Sequence, residues 1–272
     1  MTAKKNIIPS LGMGTFRLKD EVAYDSVKSA LAVGFRHIDT AQIYGNEEAV
    51  GRAIKDSGIP RQEIFVTTKV WNDNLNKKAF LPSVQESLSK LQMDYVDLLL
   101  IHWPSPTNGE PMAEYLNQLS DAKGQGLTHD IGVSNFTIAH IDEALAILPG
   151  DKILTNQVEV HPYLQNKKLR AHCEEKGIAV TGYMPFAVGK VLKDDTIKGI
   201  AEKYDVSPAE VVLAWQLAHQ LITIPMSTKR EHLETNFNAR NLTLSREDIA
   251  AIDKLDRNDR QATPDFAPEW DV

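Results

Sequence analysis

The sequence has 272 residues, 42% hydrophobic and 25% charged, a balance ordinary for a soluble globular chain with one sizeable core. A formal net charge of −7 argues against the basic face that nucleic-acid binding needs, and a single cysteine, Cys173, excludes an intrachain disulfide. No apolar stretch approaches the roughly 20 residues of a membrane helix. Met1–Pro9 lacks the apolar core of a secretion signal, so a cytoplasmic protein is expected.

The first apolar run, Ile7–Met13, ends in Gly12-x-Gly14, with Thr15 and Phe16 after it. Asp20 caps an expected helix to about Val33, and Gly34 stops it. Phe35–Asp39 reads as the second strand, and Asn46 or Glu47 opens the next helix, where Glu48 and Arg52 can pair one turn apart. Gly58-Ile59-Pro60 ends that helix. Ile64–Lys69 is the third strand, followed by a helix over Lys77–Leu91. Val96–His102 is apolar except at Asp97 and His102, as a strand covered on both faces should be. A loop with Pro104, Pro106, Gly109 and Pro111 leads to a helix ending near Lys123.

His129–Val133, Ile153–Val158 and Ile178–Tyr183 read as strands five to seven, with helices at Ile138–Leu148 and Asn166–Glu175 between them. Helices at Asp194–Tyr204 and Pro208–Ala218 precede the last strand, Leu221–Pro225. Helices at Arg230–Asn238 and Arg246–Leu255 follow, then the tail Asp259–Val272. Eight strands alternating with helices predict a (β/α)8 barrel forming one domain over 1–272, with a doubly wound sheet as the competitor. In such a barrel the carboxyl ends of the strands share one face, where the chemistry sits.

Polar residues recur at those strand ends: Asp39, Lys69, His102, Ser134, Asn135, Gln157 and Tyr183. Gly12-x-Gly14 lacks the third glycine of a dinucleotide fingerprint, Arg17 standing in its place, so a tight turn is its expected role. Asp39 and Lys69 end adjacent strands, and Tyr44 lies on the loop after Asp39. A nearby ammonium is expected to lower the tyrosine's pKa from ~10 and make it a usable acid, with Asp39 holding Lys69 charged. His102 can donate to the same oxygen. His102, His161 and His172 lack metal-ligand spacing, and no metal is assigned. Cys173 lacks any motif and reads as a partly buried helical thiol.

Long stretches then resemble the aldo-keto reductase family: Gly12-Met-Gly-Thr, FRHIDTAQIYGNEEAVGRAI (Phe35–Ile54), TTKVW (Thr67–Trp71) and MDYVDLLLIHWP (Met93–Pro104). IGVSNF (Ile131–Phe136), NQVEVHPYLQ (Asn156–Gln165) and IPMSTKREHLETN (Ile224–Asn236) complete the likeness. The resemblance implies a catalytic tetrad of Asp39, Tyr44, Lys69 and His102. It implies that Ser134, Asn135 and Gln157 bind a nicotinamide carboxamide and that Tyr183 stacks on the ring. The family commonly has a Lys and an Arg where this chain has Met226 and His232. Ser227, Thr228, Lys229 and Arg230 remain, with His232 and Asn236 beyond them, so NADPH is the expected cofactor and NADH a weaker one.

The resemblance also places Phe16, Trp71 and Trp103 around a carbonyl substrate and lets Phe266 and Trp270 of the tail cap the pocket. HWPSP and APEWD point to the bacterial 2,5-diketo-D-gluconate reductase branch, B type. Sugar acids of that kind, methylglyoxal and β-keto esters are the implied substrates, and a monomer the implied state. Two other functions compete. One is a non-catalytic nucleotide-binding protein serving as a sensor or structural subunit, disfavoured because all four catalytic positions are filled. The other is an aldolase with Lys69 as Schiff base, disfavoured because Asp39 opposes a neutral lysine.

Overall fold

The computed structural model describes residues 8–106, 109–150 and 152–271. The readings made above for residues 1–7 and for Val272 lie outside that description. Eight parallel strands form one sheet in chain order: β1 (Met13–Gly14), β2 (His37–Asp39), β3 (Phe65–Val70), β4 (Val96–Ile101), β5 (Thr128–Ser134), β6 (Ile153–Glu159), β7 (Ala179–Tyr183) and β8 (Ile222–Thr223). The sheet's two ends are linked. Leu11 and Thr223 form a parallel bridge, Gly12 N donates to Thr223 O (2.9 Å) and Thr223 N to Ser10 O (2.8 Å).

Helices alternate with the strands: α1 (Asp20–Val33), α2 (Glu47–Asp56), α3 (Phe80–Leu91), α4 (Met112–Gly124), α5 (Ile138–Ile147) and α6 (Lys167–Glu175). Two helices, α7 (Asp195–Tyr204) and α8 (Pro208–Ala218), separate β7 from β8, and α9 (Arg230–Asn238) and α10 (Arg246–Asp253) follow β8. Gly34 ends α1 at φ 126°, a conformation side chains resist. Ser207 and Glu210 close a capping box at the start of α8, where Pro208 needs no amide partner.

Alternation along the strands sorts the interior into two layers. Val66, Leu99 and Ile101 join the large core between sheet and helices, whereas Phe65, Leu98 and Leu100 pack with Ile222 inside the curled sheet. Lys69 shares the parity of Phe65, and His102 that of Leu98 and Leu100, so both project from the inner stack at its carboxyl end. The register pairs Lys69 with Leu100 across β3 and β4.

Some local expectations change. The glycines Gly12 and Gly14 serve close packing rather than a tight turn: a Cβ on Gly12 would lie 2.5 Å from the His37 ring, and one on Gly14 2.8 Å from Ile224 O. Arg52 pairs with Glu21 of α1 instead of Glu48, because α1 and α2 lie side by side and the cross-helix carboxylate is within reach. Asp20 is the first residue of α1 rather than its cap, which is Lys19. Cys173 is fully buried, and burial pushes its thiol up to about 11. Among the described residues no helix is long and apolar enough to cross a membrane.

Candidate active site

Lys69 is wholly buried at the end of β3 and donates to Asp39 Oδ1 (2.5 Å), to Thr40 O (2.8 Å) and, at 3.5 Å, to the Tyr44 hydroxyl. Burying this charge pair is costly unless its remaining hydrogen-bonding capacity is filled. It is filled: Gln157 Nε2 donates to the second Asp39 oxygen at 2.7 Å. Tyr44 sits on a 3-10 turn, Gln42–Tyr44, closed by Gly45 at φ 63°. The Gln42 side chain fixes that turn, donating to Ser83 and Ser87 and accepting from the Trp71 amide and Asn74. Lys19 holds the Tyr44 carbonyl from outside.

The His102 ring meets Tyr44 edge-on at 5.7 Å between centroids and Trp71 at 5.2 Å. Its Nδ1 is buried without a partner among the described residues. Burial, with Lys69 adding, holds the imidazole well below its usual pKa, so it is neutral at physiological pH. Burial also lowers Lys69, with Asp39 opposing. The Tyr44 hydroxyl moves opposite to the sequence expectation: burial, reinforced by Asp39, pushes it well above 10. It is a fully protonated donor rather than a pre-acidified one.

A cavity of about 570 Å³ opens over these groups and takes Asp39, Tyr44, His102, Ser134, Asn135, Gln157 and Tyr183 into its wall. The polar wall is knitted together. Ser134 Oγ donates to Gln157 O (2.8 Å), Asn135 Nδ2 to His102 O (3.0 Å), and the Tyr183 hydroxyl to Asn135 Oδ1 (2.8 Å). Asn135 adopts φ 61°, which turns its amide back toward His102.

Phe16, Trp71, Trp103 and Phe266 also line the cavity, with Phe266 edge-on to Trp71 (5.8 Å) and to Trp103 (5.5 Å). Trp270 stands behind them, against Trp103 at 6.0 Å and under the Arg260 guanidinium at 3.7 Å, outside the cavity wall. The predicted adenosine-end residues are apart from this wall too. Thr228, Lys229, Arg230 and His232 are exposed at and after the start of α9, whereas Ser227 and Asn236 are buried. Arg230 pairs with Glu234 (2.8 Å) along the helix, and Met226, exposed, reaches the cavity.

Sequence reasoning missed several wall residues. Arg17 brings a guanidinium to the cavity from beside Phe16, and its only sequence signal was the absence of a glycine. The segment after β7 contributes Met184, Pro185, Phe186 and Val188. Met184, Ala187 and Val188 have φ of 51°, 46° and 56°, costly for a β-branched residue such as Val188 and a mark of functional loops. No element is assigned from the sequence between the strand ending at Tyr183 and the helix starting at Asp194, so the return of this segment over the site had no sequence signal.

Comparison with known proteins places this geometry. Residues 10–257 match the model of the Aldo/keto reductase family. The methylglyoxal reductase DkgB of Escherichia coli O157:H7 is 53% identical over 265 residues, covering 97% of this chain and 99% of that protein. The glyoxal reductase of Bacillus subtilis (strain 168) is 40% identical over 254 residues, 93% of this chain and 91% of its own. The crystal structure of MGS-M4, an aldo-keto reductase enzyme from a Medee basin deep-sea metagenome library, superposes with a TM-score of 0.91. It is 37% identical and covers 98% of this chain and 97% of its own.

Proposed function

The chain belongs to the aldo/keto reductase family, and we propose that it reduces small aldehydes and ketones to alcohols with NADPH as preferred cofactor and NADH as a weaker one. Methylglyoxal, sugar acids like 2,5-diketo-D-gluconate, and β-keto esters are the substrates in view. The observation that carries this reading is the meeting of Tyr44, Asp39 and His102 in the wall of one cavity, with Lys69 buried behind it against Asp39 and Tyr44.

When bound, the reduced nicotinamide supplies the hydride that the carbonyl carbon receives. Tyr44 donates its phenolic proton to the carbonyl oxygen as negative charge gathers there, and burial keeps that proton in place until it is needed. Lys69 then stabilises the phenolate left behind, with Asp39 holding the ammonium against the cost of burial. Neutral His102 donates an N–H to the same oxygen and fixes the substrate's orientation. The donor set suits the cofactor. Asn135 and Gln157 present amides beside the Ser134 hydroxyl at one wall, while the Tyr183 ring and the apolar remainder of the lining suit a flat heteroaromatic ring. Ser227, Thr228, Lys229, Arg230, His232 and Asn236 would face the adenosine phosphate end, where Met226 and His232 weaken the preference for a 2′-phosphate. A single-domain (β/α)8 barrel over 1–272, monomeric and cytoplasmic, with the tail over its catalytic face, completes the reading.

The test is oxidation of NADPH and of NADH, in parallel, with methylglyoxal and with 2,5-diketogluconate. Faster turnover with NADPH is the expected result. Equal rates would mean that Met226 and His232 have removed the choice between nucleotides. Nucleotide binding without turnover of either carbonyl would favour a non-catalytic nucleotide-binding protein instead.

A further inference from the structure

We propose that Glu159 and Asp271 are positioning residues that tie down the two ends of a strap, residues 261–271, and thereby set the size of the substrate cavity. This rests on the reductase reading above. The strap contains no helix or strand, yet it places Gln261, Ala262, Pro264 and Phe266 in the cavity wall. Something outside it must therefore fix where Phe266 stands.

Glu159 does so at one end. It is the last residue of β6, two positions beyond Gln157, so the strand's alternation turns both side chains to the same face. Its carboxylate is wholly buried. Oε1 accepts from the Gln261 amide and from His161 Nε2, and Oε2 from the Ala262 amide, each at 2.7 Å. Two neighbouring backbone N–H groups on the two oxygens of one buried carboxylate fix both the position and the direction of the chain entering the strap. Asn166 reinforces the joint, donating to Glu159 O (2.7 Å) and accepting from Arg260 Nη2 (3.2 Å).

Asp271 secures the other end. Its Oδ2 accepts from Ile138 N at 2.9 Å, at the start of α5, where an acidic group is also favoured by the helix dipole. The capping Thr137 uses its own hydroxyl on the His140 amide, which leaves the Ile138 amide to Asp271. Between the two ties a turn from Pro264 to Ala267 (2.8 Å) presents Phe266 to Trp71 and Trp103. The aromatic contacts alone leave a strap free to slide; the ties give the cavity one size, suited to small carbonyls.

The experiment compares the full-length protein with Glu159→Gln, Asp271→Ala and Asp271→Asn. Glutamine keeps the shape of Glu159 but turns an N–H donor toward one of the strap amides, whereas Asp271→Asn retains the accepting oxygen. Trypsin cleavage after Arg260, followed by mass spectrometry of the peptide 261–272, reads strap release without any need for turnover. Steady-state kinetics with methylglyoxal and with a bulky aromatic aldehyde read the cavity. Cleavage is expected to quicken about tenfold, and KM for methylglyoxal to rise about tenfold with kcat changed less than about threefold, in Glu159→Gln and Asp271→Ala. The ratio of kcat/KM should move toward the bulky aldehyde, NADPH affinity should hold, and Asp271→Asn should behave as the parent. Unchanged cleavage, or an unchanged preference between the aldehydes, overturns the proposal. Should Glu159→Gln fail to fold, the two Asp271 variants decide it. A parent protein that turns over neither aldehyde refutes the reductase reading instead, and the cleavage rates then judge the ties by themselves.

Discussion

Tyr44 brings an O–H to the cavity that burial keeps protonated, whereas the phenol of Tyr183 in the same wall donates to Asn135. Replacing it with phenylalanine removes the proton and leaves the ring contacts with Phe16 and His102 in place. Tyr44→Phe should therefore lower kcat by at least ~100-fold, the ordinary worth of a positioned acid, while nucleotide affinity measured by fluorescence titration stays close to the parent's. Near-normal turnover would remove Tyr44 from the role of acid. The directions of the pKa shifts make a second prediction. His102 lies well below 6.5 and Tyr44 well above 10, so neither titrates in the neutral range. The kcat/KM for carbonyl reduction should be level across the neutral range, and Lys69, lowered from 10.5, should end the plateau on its alkaline side. A bell centred near neutrality would contradict the burial that sets these directions.

Among the elements, α2 approaches α3 closely through Gly51. A Cβ there would lie 2.3 Å from the Leu91 carbonyl oxygen, which is backbone and cannot swing aside. Helix propensity favours alanine over glycine by about 1 kcal/mol, while forcing an extra carbon into a packed contact costs about 1–3 kcal/mol. The clash wins. Gly51→Ala should lower the urea midpoint of unfolding, and a raised midpoint would mean that α2 and α3 can separate freely. The same pair of helices borders the Gln42–Tyr44 turn: Gln42 reaches Ser83 and Ser87 of α3, so helix packing is coupled to where the acid stands.

For the whole molecule, among the described residues, His37 and His102 are buried in the neutral form, and half-buried His140 is lowered in the same direction. His37 is lowered by burial at the inner face of β2, and His102 is lowered further at the end of β4. Below the unfolded value of ~6.5 the unfolded chain binds these two protons and the folded chain does not, so stability falls as pH falls. Each contributes up to ~1.4 kcal/mol per pH unit until its folded value is reached. Asp248, held down to about 2 chiefly by Lys203, adds to acid loss only below pH ~4. The urea midpoint should therefore drop between pH ~7 and ~5, with Glu47, its carboxyl raised by burial, opposing part of the loss by taking up a proton in the folded state; a flat or rising midpoint over that window would overturn the burial of neutral histidines.

What the sequence determined by itself follows from period and punctuation. Apolar runs every few tens of residues, with amphipathic stretches between them, give eight parallel strands and their helices in order, and polar residues at the ends of the second to seventh strands give the constituents of the candidate site. Asp39, Lys69 and His102 were legible because neighbouring strands in a parallel sheet bring their carboxyl ends together whatever the details. Three things waited for tertiary structure. The direction of the Tyr44 shift depends on how much water the folded site excludes, which residue order does not state. Arg52 chose Glu21 over Glu48 because packing of α1 on α2 decides which carboxylate is near. The strap over the cavity is held by Glu159 across a separation of more than a hundred residues, and no periodic pattern links a buried carboxylate to two amides in an irregular tail. Local pattern fixes which groups a strand can offer; only the closing of the chain on itself decides which of them meet, and in what dielectric.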